Sequence, residues 1–579
     1  MKVFLFLLLV SLASGFLPFN DGIRIRSSLV VAVSDSDYED ESQSSSKRIR
    51  RPTRIRPKRP SKVDGGSGGN IESRIKEAQA RHQEALQDPT LLSNTKFSDR
   101  SDINPALKRG ITEVLGLQTM TQIQAKVYQE ALSGDSILGR SKTGTGKTLA
   151  FLLPVVERLL AFDPDMYRPG KNIGIIVVAP TRELAIQIAD QAKSLTTYLN
   201  DFEVACIYGG TKMQRDMRML SPRLPSILVA TPGRLLVHLE NTRVERQKFS
   251  DIAEDTNIIV LDEADRLFES FPKEINTILS FLPRATKRQT LLFSATMPKR
   301  FRFFLRENMK IDYKEIDCVE SDRSSRKSET NLRAQQFFHQ LDSMEHYVPA
   351  LVGLIQREMK KEKDYKIIVF FPAGRLVRFF SQFFSIGLEI PVLEIHSRMS
   401  QASRNRASTT FRNMKRGILF TSDVSARGID YPGISLVVQY GTPSSRSNYI
   451  HRLGRTARAG RQGQGLLIAL PFEEKQLDSI TRFDLHLDSG DFSALDHKTN
   501  EMVETAKSKI KSGHAVLTTN AEAACKAFLS YYSGYGSLKP ADVVRYSEEF
   551  ALGIGLSTVP PVESKVAERL GVQGLVNEI

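Results

Sequence analysis

The amino-acid sequence predicts an α/β protein: two tandem domains, each built on a parallel sheet, with a helical C-terminal extension and a disordered basic N-terminal extension. Three observations predict it. From Phe97 onward, short unbroken apolar runs alternate with helical stretches: Asp135–Leu138, Ile173–Val178, Ser226–Val229, Ile258–Leu261 and Thr290–Phe293. Unbroken apolar runs suit parallel strands buried on both faces. The same rhythm returns beyond the polar stretch Ser321 to Thr330, at Lys366–Phe370, Gly417–Phe420 and Ser435–Val438. Two α/β domains joined by a hydrophilic linker account for that repetition. After about Ile480 the strand rhythm stops and a mainly helical pattern takes over. The expected boundaries are 97–320 for the first domain, 321–332 for the linker, 333–480 for the second domain and 481–579 for the extension.

A chain of 579 residues with 41% hydrophobic and 25% charged residues has enough apolar side chains for two or three folded cores. Lys and Arg number 81 against 66 acidic residues, a net charge of +15. Such a surplus suits a polyanion, whether RNA, DNA or a membrane surface, although part of it could belong to targeting sequence. The three cysteines, Cys206, Cys318 and Cys525, offer neither a disulfide framework nor metal-ligand spacing, so a reducing compartment is expected.

The N-terminal end differs in kind. Lys2 precedes an apolar run, Val3 to Val10, and the small residues Ala13, Ser14 and Gly15 come next. Residues 1–15 have the parts of a signal peptide and are too short to span a bilayer. Residues 16–45 carry Arg24, Arg26, Ser27 and Ser28 and become acidic and Ser-rich from Ser34. That order resembles the bipartite leaders of algae with secondary plastids, which implies a plastid location; secretion and the mitochondrion are the alternatives. No stable membrane insertion is expected once such a leader is removed. Residues 46–96 hold a basic, Pro-interrupted run from Lys47 to Lys62 and the linker Gly65–Gly69. So few apolar side chains cannot offset ordering entropy, so this stretch is expected to be disordered. The basic run reads equally as a solvated tail or as a sequence-blind RNA tether.

The segment Ser141-Lys142-Thr143-Gly144-Thr145-Gly146-Lys147-Thr148 follows an apolar strand and precedes a helical run. There it reads as a phosphate loop. Its glycines let backbone N–H groups approach phosphates, and the helix N-terminus favours their charge. Lys147 would reach the β and γ phosphates, and the Thr148 hydroxyl would ligate Mg²⁺. The usual pattern has Gly where Ser141 stands, so a Gly-rich turn is the alternative for this segment alone. Asp262-Glu263-Ala264-Asp265 directly follows the apolar run Ile258–Leu261. A strand end lets a carboxylate face the phosphate loop across the sheet's carboxyl edge. Asp262 would hold Mg²⁺ and Glu263 would orient and deprotonate the attacking water.

These two segments resemble motifs I and II of the DEAD-box ATP-dependent RNA helicases, and the family's other motifs occur in order between Phe97 and Gly460. Pro180-Thr181-Arg182-Glu183-Leu184-Ala185, Gly209-Gly210 and Thr231-Pro232-Gly233-Arg234 are similar to its first-domain RNA-contacting motifs. Ser294-Ala295-Thr296 is similar to the motif linking hydrolysis to unwinding. Gln401 with Arg404, Ser422-Asp423 through Asp430, and His451 through Arg458 are similar to the second-domain motifs.

The resemblance implies two RecA-like, doubly wound parallel-sheet domains, with ATP and Mg²⁺ as cofactors and RNA as partner. It implies that Phe97 stacks on adenine, Gln124 bonds its edge and Asp430 contacts the ribose. Arg455 and Arg458 would be arginine fingers, reaching the γ-phosphate only when the domains close. Asp265, Ser294 and His451 would bridge the domains, with Thr296 beside them. Pro180, Thr181, Arg182, Gly210, Thr231, Gly233, Arg234, Gln401, Arg404 and Ser422 would hold RNA by its backbone and 2′-hydroxyls, giving little sequence preference. ATP and RNA binding across one cleft would then favour each other, because both favour the closed state. The implied activity is RNA-stimulated ATP hydrolysis with local unwinding or remodelling of structured organellar RNA. The alternative is an ATP-dependent RNA clamp or chaperone without productive unwinding. Ribonucleoprotein or ribosome-assembly proteins would be the further partners.

Departures from the family pattern matter. Met120 and Gln122 replace prolines beside Thr121, which suggests a less rigid loop around Gln124. Ser422 replaces Thr but keeps a hydroxyl. Ala373 lacks the hydroxyl common at the end of its motif. In the extension, the apolar spacing at Leu529, Tyr532, Phe550 and Leu552 favours a helical core over aromatic stacking on RNA. This tail resembles the extension of the mitochondrial intron-splicing DEAD-box helicases.

Overall fold

The computed structural model describes residues 92–577, apart from 143, 164, 222, 297–300, 311, 320–333, 362–363, 424–430, 458–462, 474–485, 488–491, 493 and 535–537. The leader, the basic run, the Gly-rich linker and the interdomain linker therefore lie outside the described residues, as do Thr143, Asp430 and Arg458.

The first sheet has strands β1 (Ile137–Arg140), β2 (Ile175–Val178), β3 (Val204–Ile207), β4 (Ile227–Ala230), β5 (Ile258–Asp262), β6 (Gln289–Ser294) and β7 (Lys314–Asp317), in the order β7-β1-β6-β5-β2-β4-β3. Every neighbouring pair is parallel. The unbroken apolar runs now have their physical cause. Ile175, Val177, Ile258 and Val260 enter the core on one face of the sheet, and Ile176, Val178, Ile259 and Leu261 the core on the other. Successive side chains of a strand point to opposite faces, so a sheet covered on both sides needs apolar residues at every position.

The second sheet repeats the plan with β8 (Ala334–Gln340), β9 (Lys366–Phe370), β10 (Leu393–Ile395), β11 (Gly417–Thr421), β12 (Leu436–Tyr440), β13 (Gly463–Ala469) and β14 (His486–Leu487), ordered β10-β11-β9-β12-β13-β8-β14 and parallel throughout. The short strand β14 lies past the point where the sequence pattern turns helical.

Helices His497–Lys511, Ala515–Tyr532, Pro540–Gly553 and Ser564–Leu570 come after it. They do not form a core of their own. Val503, Leu517, Phe528, Tyr532 and Phe550 join Tyr347, Phe371 and Phe380 in one apolar cluster on a face of the second sheet. Phe528 stacks on Phe550 at 4.5 Å. Leu529, Tyr532 and Phe550 are buried as expected, but Leu552 is 61% exposed and takes no part. No helix among the described residues is long and apolar enough to cross a membrane.

Candidate functional site

The carboxyl edge of the first sheet gathers the chemistry. In register, Phe293 pairs with Asp262 and Ser294 with Arg140, so Ser141, Asp262 and Ser294 leave three adjacent strands at one level. The Ser141 N–H donates to the Ser294 carbonyl at 3.2 Å. Strands β1 and β5 flank β6, so the loop and the Asp262 strand are about 10 Å apart, room for a phosphate and a cation.

The loop is held from inside. Gly144 and Gly146 adopt positive φ values of 80° and 84°. The Lys147 ammonium donates to the Ser141 carbonyl at 2.8 Å and to the Lys142 carbonyl at 2.7 Å. The Ser141 and Thr145 hydroxyls lie 2.9 Å apart, so Ser141 makes a contact that Gly could not. Helix Lys147–Leu160 starts at the loop and carries Thr148 in its first turn. Burial pushes the Lys147 ammonium down to about 8; the Asp262, Glu263 and Asp265 charges pull it back, and Arg455 of the second domain adds to the fall. Burial, then the Glu263 charge, push the Asp262 carboxyl up to about 7, against the pull of Lys147. Glu263 has a φ of 49° and its Oε2 is buried without a hydrogen-bond partner.

Gln124 is the N3 residue of helix Gln122–Ser133. Its Oε1 accepts from the Thr121 N–H at 2.9 Å and its amide donates to the Gly146 carbonyl at 3.1 Å, which ties this helix to the phosphate loop. The segment around it is paired and hydrogen-bonded despite the two missing prolines. Thr119–Thr121 pairs with Leu92–Lys96, Met120 is fully buried, and the Gln122 amide donates to the Leu92 carbonyl at 2.8 Å. Phe97 departs from its expected place. Its ring is 0% exposed, packed in the first-domain core, and presents no face to a base. Its apolar bulk is worth more in that core than at a rim. Phe97 anchors the segment that Gln124 belongs to.

The second domain meets this edge through helix Arg446–Leu453 and the turn after it. One carboxylate oxygen, Asp265 Oδ2, accepts from Thr296 Oγ1 at 2.6 Å and Ser447 Oγ at 2.9 Å, and lies 3.0 Å from His451 Nε2. Ser294 Oγ donates to the Thr296 carbonyl at 2.7 Å, fixing that loop. Arg455 is buried, with its Nε on the His451 carbonyl at 3.2 Å. Arg266 donates to the Asp423 carbonyl at 3.2 Å, and Asp423 Oδ1 accepts from Arg452 at 2.6 Å.

The residues expected to hold RNA are placed differently from one another. Pro180, Thr181 and Thr231 lie at two helix N-termini: Thr181 Oγ1 caps Leu184 N–H at 3.3 Å, and Thr231 is N-cap of Pro232–Asn241. Gly210 has φ 81°, and a Cβ there would lie 2.4 Å from Arg182 Nη1; around Gly233 there is open space. Arg234 is engaged within its own domain, by Asp216 Oδ2 at 2.5 Å and the Thr211 carbonyl at 3.0 Å. Gln401 and Arg404 are engaged across the cleft. Arg404 pairs with Glu183 Oε1 at 2.6 Å, Gln401 donates to the same oxygen at 2.9 Å, and Arg182 donates to Gln401 Oε1 at 3.3 Å. Ser422 is buried at the end of β11.

The sequence places Glu183 and Asp423 inside motifs without a role of their own and gives none to Arg266 or Ser447. Ser447 had a local signal: it stands four residues before His451 on one helix, hence on the same face. The others meet partners more than 150 positions away.

Comparison with known proteins agrees with this geometry. A DEAD/DEAH box helicase model matches residues 121–303, and a helicase conserved C-terminal domain model matches residues 348–460. The chain is 36% identical over 527 residues to DEAD-box ATP-dependent RNA helicase 25 of Oryza sativa subsp. japonica, covering 89% of this chain and 85% of that one. It is 36% identical over 499 residues to DEAD-box ATP-dependent RNA helicase 25 of Arabidopsis thaliana, covering 85% and 84%. Its fold resembles that of Mss116p bound to ssRNA and AMP-PNP, with TM-score 0.70, 24% identity, and coverage of 83% of this chain and 95% of that one. S. cerevisiae Dbp5 bound to RNA and ADP BeF3 gives TM-score 0.56, 22% identity, and coverage of 70% and 98%. Two parallel sheets facing each other across a phosphate loop, with this span of identity over most of both chains, make the protein a member of the DEAD-box ATP-dependent RNA helicases, enzymes that hydrolyse ATP.

Proposed function

We propose that this helicase couples RNA-stimulated ATP hydrolysis to local unwinding or remodelling of structured organellar RNA. The observation that carries the coupling is the shared Asp265 oxygen: one carboxylate beside the hydrolytic residues is held by Thr296 of its own domain and by Ser447 and His451 of the other. Whatever opens the domains must break the Ser447 and His451 contacts, so hydrolysis and domain movement are linked at one atom.

The first domain supplies Lys147 to the β and γ phosphates, Gln124 to the adenine edge and Glu263 to the attacking water. Arg455 comes from the second domain, with Arg458 and the ribose-binding Asp430 from segments outside the described residues. A finger of this kind is worth roughly a thousandfold or more in rate. The residues fit a divalent cation. A buried carboxyl raised toward 7 and an unpartnered Glu263 Oε2 are hard oxygen donors awaiting positive charge, and Thr148 and Asp262 would hold the ion. Mg²⁺ held there would supply positive charge against the negative charge developing on the phosphates. Phosphates of RNA would meet the N-termini of the helices begun by Thr181 and Thr231, where the dipole favours anions. Holding RNA by its backbone leaves base sequence largely unread.

Lys147→Ala tests the phosphate-loop assignment: hydrolysis should be abolished, and retained RNA-stimulated hydrolysis contradicts it. Single-turnover strand displacement tests unwinding. Displacement within one ATP turnover supports a helicase; tight ATP-dependent RNA holding without displacement supports the clamp. The leader supports a plastid location, with ribonucleoprotein or ribosome-assembly proteins as partners; residues 1–60 fused to a fluorescent reporter test the compartment.

A further inference from the structure

The extension reaches the second domain through one buried acid. Glu473 is 0% exposed and lies just beyond β13. Its carboxylate accepts four backbone or hydroxyl contacts: Thr442 N–H to both oxygens at 3.0 Å, Leu470 N–H at 2.9 Å and Tyr532 O–H at 2.9 Å. Tyr532 belongs to the extension, and its neighbour Tyr531 donates to the Thr442 carbonyl at 3.4 Å. Thr442 is thus held at both its N–H and its carbonyl. Gly441, just before it, has φ 92°, and a Cβ there would lie 3.2 Å from the Tyr532 hydroxyl. The backbone has been brought close to that hydroxyl at a position that disfavours other residues.

The chain beyond Thr442 gives the arrangement its meaning. Pro443, Ser444 and Ser445 lead directly into helix Arg446–Leu453, and Pro443 removes one backbone rotation from that short link. Ser445 caps the helix through Asn448 N–H at 3.2 Å. The first turns of this helix present Ser447 and His451 to Asp265, and Arg455 comes next. An apolar contact alone would seat the extension without fixing this loop, because apolar burial is non-directional. Hydrogen bonds to a buried carboxylate are directional and strong, and an unmet partner in that setting is costly.

We propose that Glu473 is a positioning residue for ATP hydrolysis, a buried clasp through which Tyr532 of the helical extension sets the loop leading into the helix that carries Ser447 and His451, with Arg455 in the turn after it. Being fully buried, it would act through that loop. It deepens the reading of Arg455 as a finger and rests on that reading.

Tyr532→Phe keeps the ring and removes only the hydroxyl. In the full-length chain, RNA-stimulated kcat should fall about tenfold, the scale of one hydrogen bond to a charged group, with KM for ATP unchanged. ATP-analogue binding stoichiometry, measured well below the unfolding midpoint, counts the folded molecules. Glu473→Gln turns an N–H toward a donor at Leu470 or Tyr532 and should show a similar loss, so the clasp can be tested through either partner. A double-mutant cycle with Ser447→Ala separates positioning from general weakening. If the two act along one path, the double variant loses no more than the worse single variant. If the losses multiply, or if both clasp variants turn over at the wild-type rate, the proposal is overturned. Arg455→Ala tests the underlying reading: full turnover there removes both claims, while lost turnover there with wild-type turnover in Tyr532→Phe and Glu473→Gln removes the clasp alone.

Discussion

His451 Nε2 and Asp265 Oδ2 lie 3.0 Å apart across the cleft, and each side chain is 1% exposed. A contact so enclosed can form only when the two domains meet, and in low dielectric its loss is felt fully. It stands beside Asp262 and Glu263 on one side and beside Arg455 on the other.

Substituting His451→Ala leaves the Asp265 carboxylate short of an interdomain partner. Losing a hydrogen bond to a buried carboxylate costs about 1.5–3 kcal/mol, so RNA-stimulated turnover should fall by roughly tenfold to a hundredfold. Binding of an ATP analogue to the first domain should change little. Equal loss of both in steady-state and binding assays would show that His451 serves only folding.

Glu263→Gln removes the proposed base and keeps the size of the side chain. The variant should bind ATP and RNA and remain on RNA far longer than the wild type, because hydrolysis no longer reopens the cleft. Labelled RNA chased with excess competitor measures this; release at the wild-type rate would rule out the role.

Glu183 joins Arg404 and Gln401 through one oxygen, with Arg404 at 2.6 Å. Glu183→Ala strands the Arg404 guanidinium, whose charge burial already disfavours. The closed population should fall by at least tenfold, read by energy transfer between dyes on the two domains. An unchanged closed population would place Arg404 on RNA alone.

Glu157 sits in the helix that begins at the phosphate loop and accepts the Asn104 N–H at 2.6 Å. Burial pushes its carboxyl from 4.5 up to about 7. Between those values the unfolded chain has lost a proton that the folded chain keeps. Stability therefore declines as pH rises through about 4.5 to 7, and the decline is complete above 7. Glu157→Gln keeps an acceptor for Asn104 and cannot ionise. Its melting midpoint should exceed that of the wild type by about a few degrees at alkaline pH and lose that advantage in acid. Midpoints that run parallel across this range would contradict the assignment.

The fold was legible wherever burial leaves a local trace. β5 and β9 stand out because both faces of each strand are covered, which forces unbroken apolar runs at Ile258–Leu261 and Lys366–Phe370. β3, β7, β8, β10, β13 and β14 were not read: β3, β7, β10 and β14 are sheet edges, where the pattern is short or mixed, while the interior β8 is interrupted by Gln335, Gln336 and His339 and β13 begins Gly463-Gln464-Gly465. Lys147 and Asp262 were legible because a phosphate loop and a strand-end acid are local arrangements. The engagement of Glu183 with Arg404, of Glu473 with Tyr532 and the burial of Phe97 were not, since each depends on residues brought together by the tertiary fold. Leu552 fitted a core spacing and lies exposed, because one helix turn does not show which side its neighbours cover.

A cation and water set by Asp262 and Glu263 in the first domain should face Arg455 from the second across one bound ATP. A crystal structure of the full chain with a non-hydrolysable ATP analogue and single-stranded RNA measures it directly. The Arg455 guanidinium should lie within hydrogen-bond distance of a γ-phosphoryl oxygen, about 3 Å, with the RNA spanning both domains. A closed, RNA-bound structure in which that guanidinium is turned away from the γ-phosphoryl group would contradict it.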